Sequence, residues 1–304
     1  MNTSKKIVAI SGASGLVGKP LTETFASAGW RVLRLVRRPA QTADEVQFDI
    51  ENGRVDADKL EGLEAVVHLA GENISSGRWT AKRKATILHS RVAGTRLLSE
   101  TLAKLSAPPP VLVSGSAIGF YGDQGEQTLT EQSPNGSGFL AEVCREWEAA
   151  TASAAARVRV VHLRTGVVLA KEGGALAKML TPFRLCLGGK IGSGRQFWSW
   201  IALPDLLRVI RFACDNSTIA GALNAVSPQP VTNLEFTKSL GLALNRPTLI
   251  PMPAPLARLL LGEMADELLL ASQKVVPQKL QQAQFRFDYP DLRGALSTIL
   301  LRLP

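Results

Sequence analysis

Three glycines, Gly12, Gly15 and Gly18, stand at the spacing GxxGxxG in ISGASGLVGKPL, directly after an apolar run and at the opening of a helical pattern. The chemistry of that spacing is phosphate binding. The first glycine permits a tight strand-to-helix turn, the second lets the backbone approach a pyrophosphate, and the third lets helix and strand pack closely. The uncovered N–H groups of the helix start supply partial positive charge. A P-loop needs GxxxxGK[ST]; here five residues separate Gly12 from Gly18, and Lys19 is followed by Pro20 where a metal-binding hydroxyl is required. A dinucleotide is therefore the expected ligand, with a bare glycine turn as the alternative. A carboxylate that would hold the ribose hydroxyl of NAD is expected about 20 residues beyond the glycines. The second β-rich run instead ends in Arg37 and Arg38. Guanidinium groups form charge-assisted bonds to a 2'-phosphate, which favours NADP(H); two solvated arginines are the alternative.

A second set of groups lies in the loop IGSGRQFWSW. Arg195 suits an anionic substrate group, and Trp198 and Trp200 are either flat walls of a pocket or ordinary core. There is no GxSxG elbow, no HExxH and no pair of cysteines at metal-ligand spacing, so no metal is expected.

These groups must be held by elements. The first half alternates β-rich runs (IVAISG, RVLRLVR, VQFD, AVVHLAG, VLVSGSAIG) with helical patterns, and a sixth strand is expected over 158–163 after a helix spanning about 139–155. The runs are continuously apolar, as in a parallel sheet covered on both faces. The expected fold is α/β: a doubly wound parallel sheet with a smaller, mostly helical C-terminal lobe. The division expected is 1–170 for the NADP(H)-binding part, joined by strand contributions from 219–227, and 171–304 for the substrate-facing lobe. A helix is expected from Pro204.

At 45% hydrophobic and 20% charged residues the chain reads as globular. The net charge of +9 is scattered and not interleaved with stacking aromatics, so no nucleic-acid partner is expected. No export signal and no run of about 18 apolar residues is present, which predicts a soluble protein without a membrane partner. Cys144, Cys186 and Cys214 fit reduced thiols in the cytoplasm.

The motifs GASGLVG, LAGENI, RW at Arg78 and Trp79, SR at Ser90 and Arg91, SGSAIGFYGD, LRTGVVL, PFRL with LGG, IGSGRQ and QKVVPQKL resemble the YfcH-type epimerase family over nearly the whole chain. These are atypical extended short-chain dehydrogenase/reductases with a C-terminal domain of uncharacterised role. The resemblance implies that Gly12, Ser14, Gly15, Leu16, Val17 and Gly18 surround the pyrophosphate and that Arg37 and Arg38 meet the ribose phosphate. It also implies that Asp49 faces adenine, that Leu69, Ala70, Gly71 and Arg91 line the cofactor, and that Ser114 and Ser116 sit beside the nicotinamide. Arg164, in LRTGVVL, joins the cofactor group, and Glu72 and Asn73, in LAGENI, join the substrate group.

The chain departs from the wider pattern where proton transfer is concerned. Extended reductases usually carry YxxxK, in which lysine and cofactor lower the tyrosine pKa. Here Gly125 follows Tyr121 by four residues and Arg293 follows Tyr289 by four, so no such pair exists; the tyrosine slot falls on Phe139 and the lysine slot on Val143. Ser116 can orient a carbonyl, and Tyr121, Asp123, Glu72 and Glu131 are candidate acids, with Ser116 and Tyr121 the leading pair. Relatives commonly carry histidine where Ala202 stands, and Asp205 reads as a helix-start residue. Two functions follow. One is an NADP(H)-dependent oxidoreductase or epimerase-like enzyme acting on a sugar-nucleotide or other small oxygenated substrate. The other is an NADP(H)-binding sensor without turnover. A monomer or homodimer suits either.

Overall fold

The computed structural model describes residues 5–301. Eight strands form one sheet in the spatial order Gly221–Ala225, Arg159–Thr165, Val111–Ala117, Ala65–His68, Ile7–Ser11, Arg31–Val36, Glu45–Asp49 and Arg54–Val55. All neighbours pair in parallel except the last two. This is the doubly wound α/β architecture expected from the alternating runs.

Why continuous apolar runs make this sheet is visible in the packing. Val8 and Ile10 point into one core cluster and Ala9 into another; Ala65 and Val67 oppose Val66, and Val111 and Val113 oppose Leu112 in the same way. Each strand is therefore buried on both faces, as crossover helices require. The sixth strand runs over Arg159–Thr165, and the expected long helix after Gly138 is Phe139–Ala149 followed by a short turn of helix, Ala152–Ala155.

The helix Leu203–Asp215 begins with Pro204 in its first turn, and its Leu206, Val209 and Ile210 share the core cluster of Val8 and Ile10. Asp205 does more than start that helix. It is fully buried, and its carboxylate accepts the N–H groups of Asp288 (2.9 Å) and Tyr289 (2.8 Å), tying the C-terminal segment to the sheet. A third cluster, with Trp198, Trp200, Phe236 and Leu296, forms the core of the C-terminal half. Its helix Asn233–Leu244 starts on a capping box, Thr232 with Glu235, and stops at Asn245 in the left-handed conformation (φ 53°).

The chain order reverses around Ile7–Ser11, which lies between Ala65–His68 and Arg31–Val36. The crevice beyond the carboxyl ends of these strands is where such sheets hold their ligands. Replacing Asp205 by alanine is expected to cost about 1–3 kcal/mol, because two buried N–H groups lose their acceptor; urea denaturation of both proteins measures it.

Candidate functional site

The bend after Ser11 is set by contact distances. Gly12 has φ +69°, and a Cβ there would lie 3.0 Å from the Leu69 carbonyl carbon and from the Ala70 nitrogen. A Cβ on Gly18 would lie 2.0 Å from the Gly12 carbonyl oxygen, so no side chain fits. Gly15 N–H closes the turn on Gly12 O at 2.9 Å. The helix Gly18–Ser27 that follows has no side-chain cap at its N-terminus, and Ser14 and Gly15 are exposed in front of it. Backbone donors facing solvent at a helix start, with no side chain in the way, fit a pyrophosphate.

Ser11 fixes the opposite wall. Its Oγ accepts the N–H groups of Leu69 (3.1 Å) and Ala70 (3.2 Å) and lies 2.7 Å from His68 Nδ1. With two donors already on the oxygen, the serine proton goes to Nδ1, which leaves the histidine proton on Nε2. Burial pushes the His68 pKa down to about 4, keeping the ring neutral, and Nε2 has no hydrogen-bond partner. Neither Ser11 nor His68 stood out in the sequence, because both sit inside apolar strand runs.

The two arginines after the second strand part company. The pairing of Ser11 with Leu35 carries the chain past the glycine turn two residues later, at Arg37, which is exposed. Arg38 is held by Glu45 through two 2.8 Å bonds. Glu45, whose side chain is 4% exposed, also accepts Gln41 N–H (2.9 Å), and Arg34 lies 3.4 Å away. The Arg38 bonds, ahead of the Gln41 N–H, hold the Glu45 carboxyl down to about 2. Arg38, expected to meet the ribose phosphate, is paired here with a buried carboxylate while about half of its side chain (47%) stays exposed. Asp49 at the end of the third strand accepts the Asn52 backbone and side-chain N–H groups, which hold its carboxyl below the usual range.

Past the fourth strand of the switch, Arg91 covers Gly71, where a Cβ would lie 3.3 Å from Cζ. The Arg91 guanidinium stacks on Trp147 at 5.0 Å and donates to Ile87 O. Glu72 pairs with Arg83 at 3.0 Å, and Asn73 Oδ1 accepts Ser75 N–H and its hydroxyl, so both stabilise their own loop. Lys178 donates to Ser75 O and Arg78 to Leu259 O, attaching this loop to the C-terminal half.

Below the crevice runs a buried polar chain. Ser116 Oγ donates to Glu148 Oε1 at 2.7 Å, and Arg164 grips the same carboxylate through Nε and Nη2, each at 2.8 Å. Arg164 Nη1 donates to the Tyr121 hydroxyl (2.9 Å), which donates to Asn224 Oδ1 (2.7 Å). Asn224 N–H reaches Glu131 Oε1 at 3.1 Å. Tyr121 is fully buried, and burial pushes its phenol up. Two residues expected at the site are engaged elsewhere. Tyr121, expected as a candidate acid, is a buried strut between Arg164 and Asn224, and Arg164, expected against the cofactor, is 4% exposed and committed to Glu148. Glu131 is buried in this chain, and Asp123 Oδ1 is spent on Ser272 N–H and Gly125 N–H. Glu148, which the sequence reading passed over, is the centre of the chain. Its position at the end of a helix carried no signal of a partner on a distant strand.

The tyrosine and lysine slots are filled by packing groups. Phe139 meets Trp79 edge-on at 5.1 Å and carries Lys84 Nζ 4.5 Å above its ring; Val143 is buried. Glu267 from the C-terminal half caps this helix, accepting Phe139 N–H (3.0 Å) and Leu140 N–H (3.2 Å). Gly138, at φ 107°, makes room, since a Cβ would lie 2.4 Å from Glu267 Oε1. Ser114 is fully buried in its strand. Trp198 and Trp200 are core residues, 6% and 0% exposed, with their indole N–H groups on Leu269 O and Gln229 O; the pocket-wall expectation is corrected. Arg195 stands in solvent, facing Glu126 at 3.4 Å.

Tyr121→Phe is expected to lower stability by about 1–3 kcal/mol, by stripping a partner from Arg164 and Asn224, while leaving dinucleotide affinity unchanged; chemical denaturation and calorimetry separate the two. Glu45 contributes stability that is complete above its ordinary value of 4.5 and is lost as pH falls from there toward 2. Glu45→Gln should therefore flatten acid unfolding in that window.

The chain matches the NAD dependent epimerase/dehydratase family model over residues 8–225 and a domain of unknown function, DUF1731, over residues 252–299. It is 40% identical over 294 residues to the epimerase family protein ML0860 of Mycobacterium leprae, covering 96% of this chain and 95% of that one. The structure of the human epimerase family protein SDR39U1 with NADPH superposes with a TM-score of 0.89 at 34% identity, covering 98% of this chain and all (100%) of that chain. A nucleoside-diphosphate sugar epimerase from Corynebacterium glutamicum gives 0.81 at 37% identity, covering 98% of this chain and 58% of the other. With its glycine turn and sheet inside the matched region, this chain belongs to the NAD dependent epimerase/dehydratase family.

Proposed function

We propose that this protein binds NADP(H) across the glycine turn and acts as an oxidoreductase or epimerase-like enzyme on a small oxygenated substrate, a nucleotide sugar among the candidates, held over Ser116. The observation that carries the cofactor reading is the division of labour at the second strand end. Both arginines are exposed, but Arg38 is engaged by Glu45, so Arg37 is the guanidinium assigned to an adenosine 2'-phosphate. Support for NADP(H) also comes from the human relative crystallised with NADPH. Gly12, Gly15 and Gly18 would hold the pyrophosphate, and Leu69 to Gly71 would line the far side.

Bound NADP(H) supplies the hydride donor or acceptor. The chain's own contribution is at Ser116. Its proton is committed to Glu148 Oε1, which leaves the oxygen as an acceptor. Such a hydroxyl accepts a hydrogen bond from a substrate alcohol more readily than it donates to a carbonyl, which suits binding of the alcohol form. With Phe139 in the tyrosine slot, no phenol takes part.

One set of contacts favours the second reading, a cofactor-responsive protein without turnover. The glycine turn touches the C-terminal half directly: a Cβ on Gly173 would lie 3.0 Å from Leu16 Cδ1, and one on Gly174 3.1 Å from Cδ2. In this second reading, a shift of Leu16 on cofactor binding would press on the C-terminal half through that contact. Steady NADPH consumption with carbonyls, or NADP reduction with alcohols and nucleotide sugars, that disappears in Ser116→Ala supports the enzyme; a silent panel with intact cofactor binding supports the sensor.

Arg37→Ala should weaken NADPH binding by about tenfold or more, the worth of one charged hydrogen bond, with NADH affinity unchanged. Calorimetry with both dinucleotides checks this, and equal losses would remove the assignment.

A further inference from the structure

All the exposed large apolar side chains among the described residues except Leu234 fall in two segments, 173–204 and 236–262. These segments contain Lys178, Arg184, Lys190, Arg195, Lys238, Arg246 and Arg258, and neither contains an aspartate or glutamate. They are also neighbours in space. Ile250 N–H donates to Gly188 O at 3.4 Å, Met252 N–H to Lys190 O at 2.9 Å and Arg246 Nε to Arg184 O at 3.2 Å. Leu185 (64% exposed), Leu187 (55%), Leu249 (83%) and Ile250 (50%) therefore share one surface with Arg184, Lys190 and Arg246.

Directly along the chain comes the helix Ala254–Leu261, of which only Ala257 is buried. Leu256, Leu259 and Leu260 stand out from it at 44%, 71% and 54% exposure. Some of the cations are committed: Arg258 pairs with Asp266 (2.8 Å), Arg195 with Glu126, and Lys178 donates to Ser75. Among the described residues, no ion pair is recorded for Arg184, Lys190, Lys238 or Arg246. Contiguous exposed leucines of this size mark a contact surface, and the four cations without an ion pair narrow what can cover it.

We propose that this face is a peripheral docking surface for a bilayer of anionic phospholipid. Aliphatic side chains enter the headgroup boundary while Arg184, Lys190 and Arg246 meet phosphate and carboxylate headgroups, the pattern of an interfacial rather than a spanning contact. No helix among the described residues is long and apolar enough to cross a membrane, so the contact is on the surface. A second copy is disfavoured by charge, since a two-fold contact sets this cationic face against itself. The absence of membrane partners expected from the sequence rested on the lack of a span and did not address this geometry.

The test is flotation of the full chain with vesicles of phosphatidylcholine alone and of phosphatidylcholine mixed in equal parts with phosphatidylglycerol. Binding is expected to the anionic vesicles only, and to weaken as salt is raised. The double variants Leu249→Ser with Leu259→Ser, and Arg184→Glu with Lys190→Glu, should each reduce it by about tenfold or more, with thermal unfolding and NADPH affinity unchanged. Failure to float with anionic vesicles overturns the proposal, as does equal binding to neutral ones. A dimer in light scattering that the leucine variant dissociates would assign the face to a second copy and overturn it too.

Discussion

The structure depends on how closely two pieces of backbone approach one another between the first strand and its helix. Where the Gly12 carbonyl faces Gly18, the remaining space is smaller than a methyl group. That contact aims the first turn of the helix at the end of the sheet and brings the Leu69–Ala70 segment against Gly12. Ser11 then locks this arrangement from within, using one hydroxyl to join three neighbouring groups. The crevice at the reversal of strand order is therefore a rigid frame built from main chain, with little help from charged side chains. The charged side chains sort themselves around it.

That sorting explains what the sequence could and could not reveal. Glycine spacing and unbroken apolar runs are properties of adjacent residues, and the sheet and its phosphate-binding bend are legible from them. Partner choice is not local. Arg37 and Arg38 are chemically identical neighbours, and only the burial of Glu45 on the next strand divides them. Tyr121 and Arg164 looked available because each follows a strand into a motif; both are consumed by groups on other elements, Asn224 and Glu148. Trp198 and Trp200 flank a glycine-rich loop in a way compatible with pocket or core, and the deciding residues, Phe236 and Leu269, lie far along the chain.

The chain from Ser116 to Glu131 has an energetic logic of its own. A carboxylate and a guanidinium removed from water cost several kcal/mol each in lost hydration, and the pair is tolerable only when the remaining donors and acceptors are matched. Glu148 receives Ser116 and both ends of the Arg164 fork, and Arg164 spends a further nitrogen on Tyr121 while lying over the Phe120 ring at 3.4 Å. Matching of that kind holds side chains in one arrangement. It gives Ser116 a fixed orientation, where a solvated hydroxyl would turn freely.

The cap supplied by Glu267 crosses the gap between the two regions that the family models recognise separately, and this has a consequence for how the molecule can be divided. The helix bearing Phe139 begins with its first two amides bound to a carboxylate from more than a hundred positions downstream, and Gly138 leaves no local side chain to take over. A fragment ending with the sheet would carry this helix with its first two amides uncapped. The C-terminal region thus completes a helix that the sequence assigns to the first domain, and the helix start is bonded only when both regions share one chain.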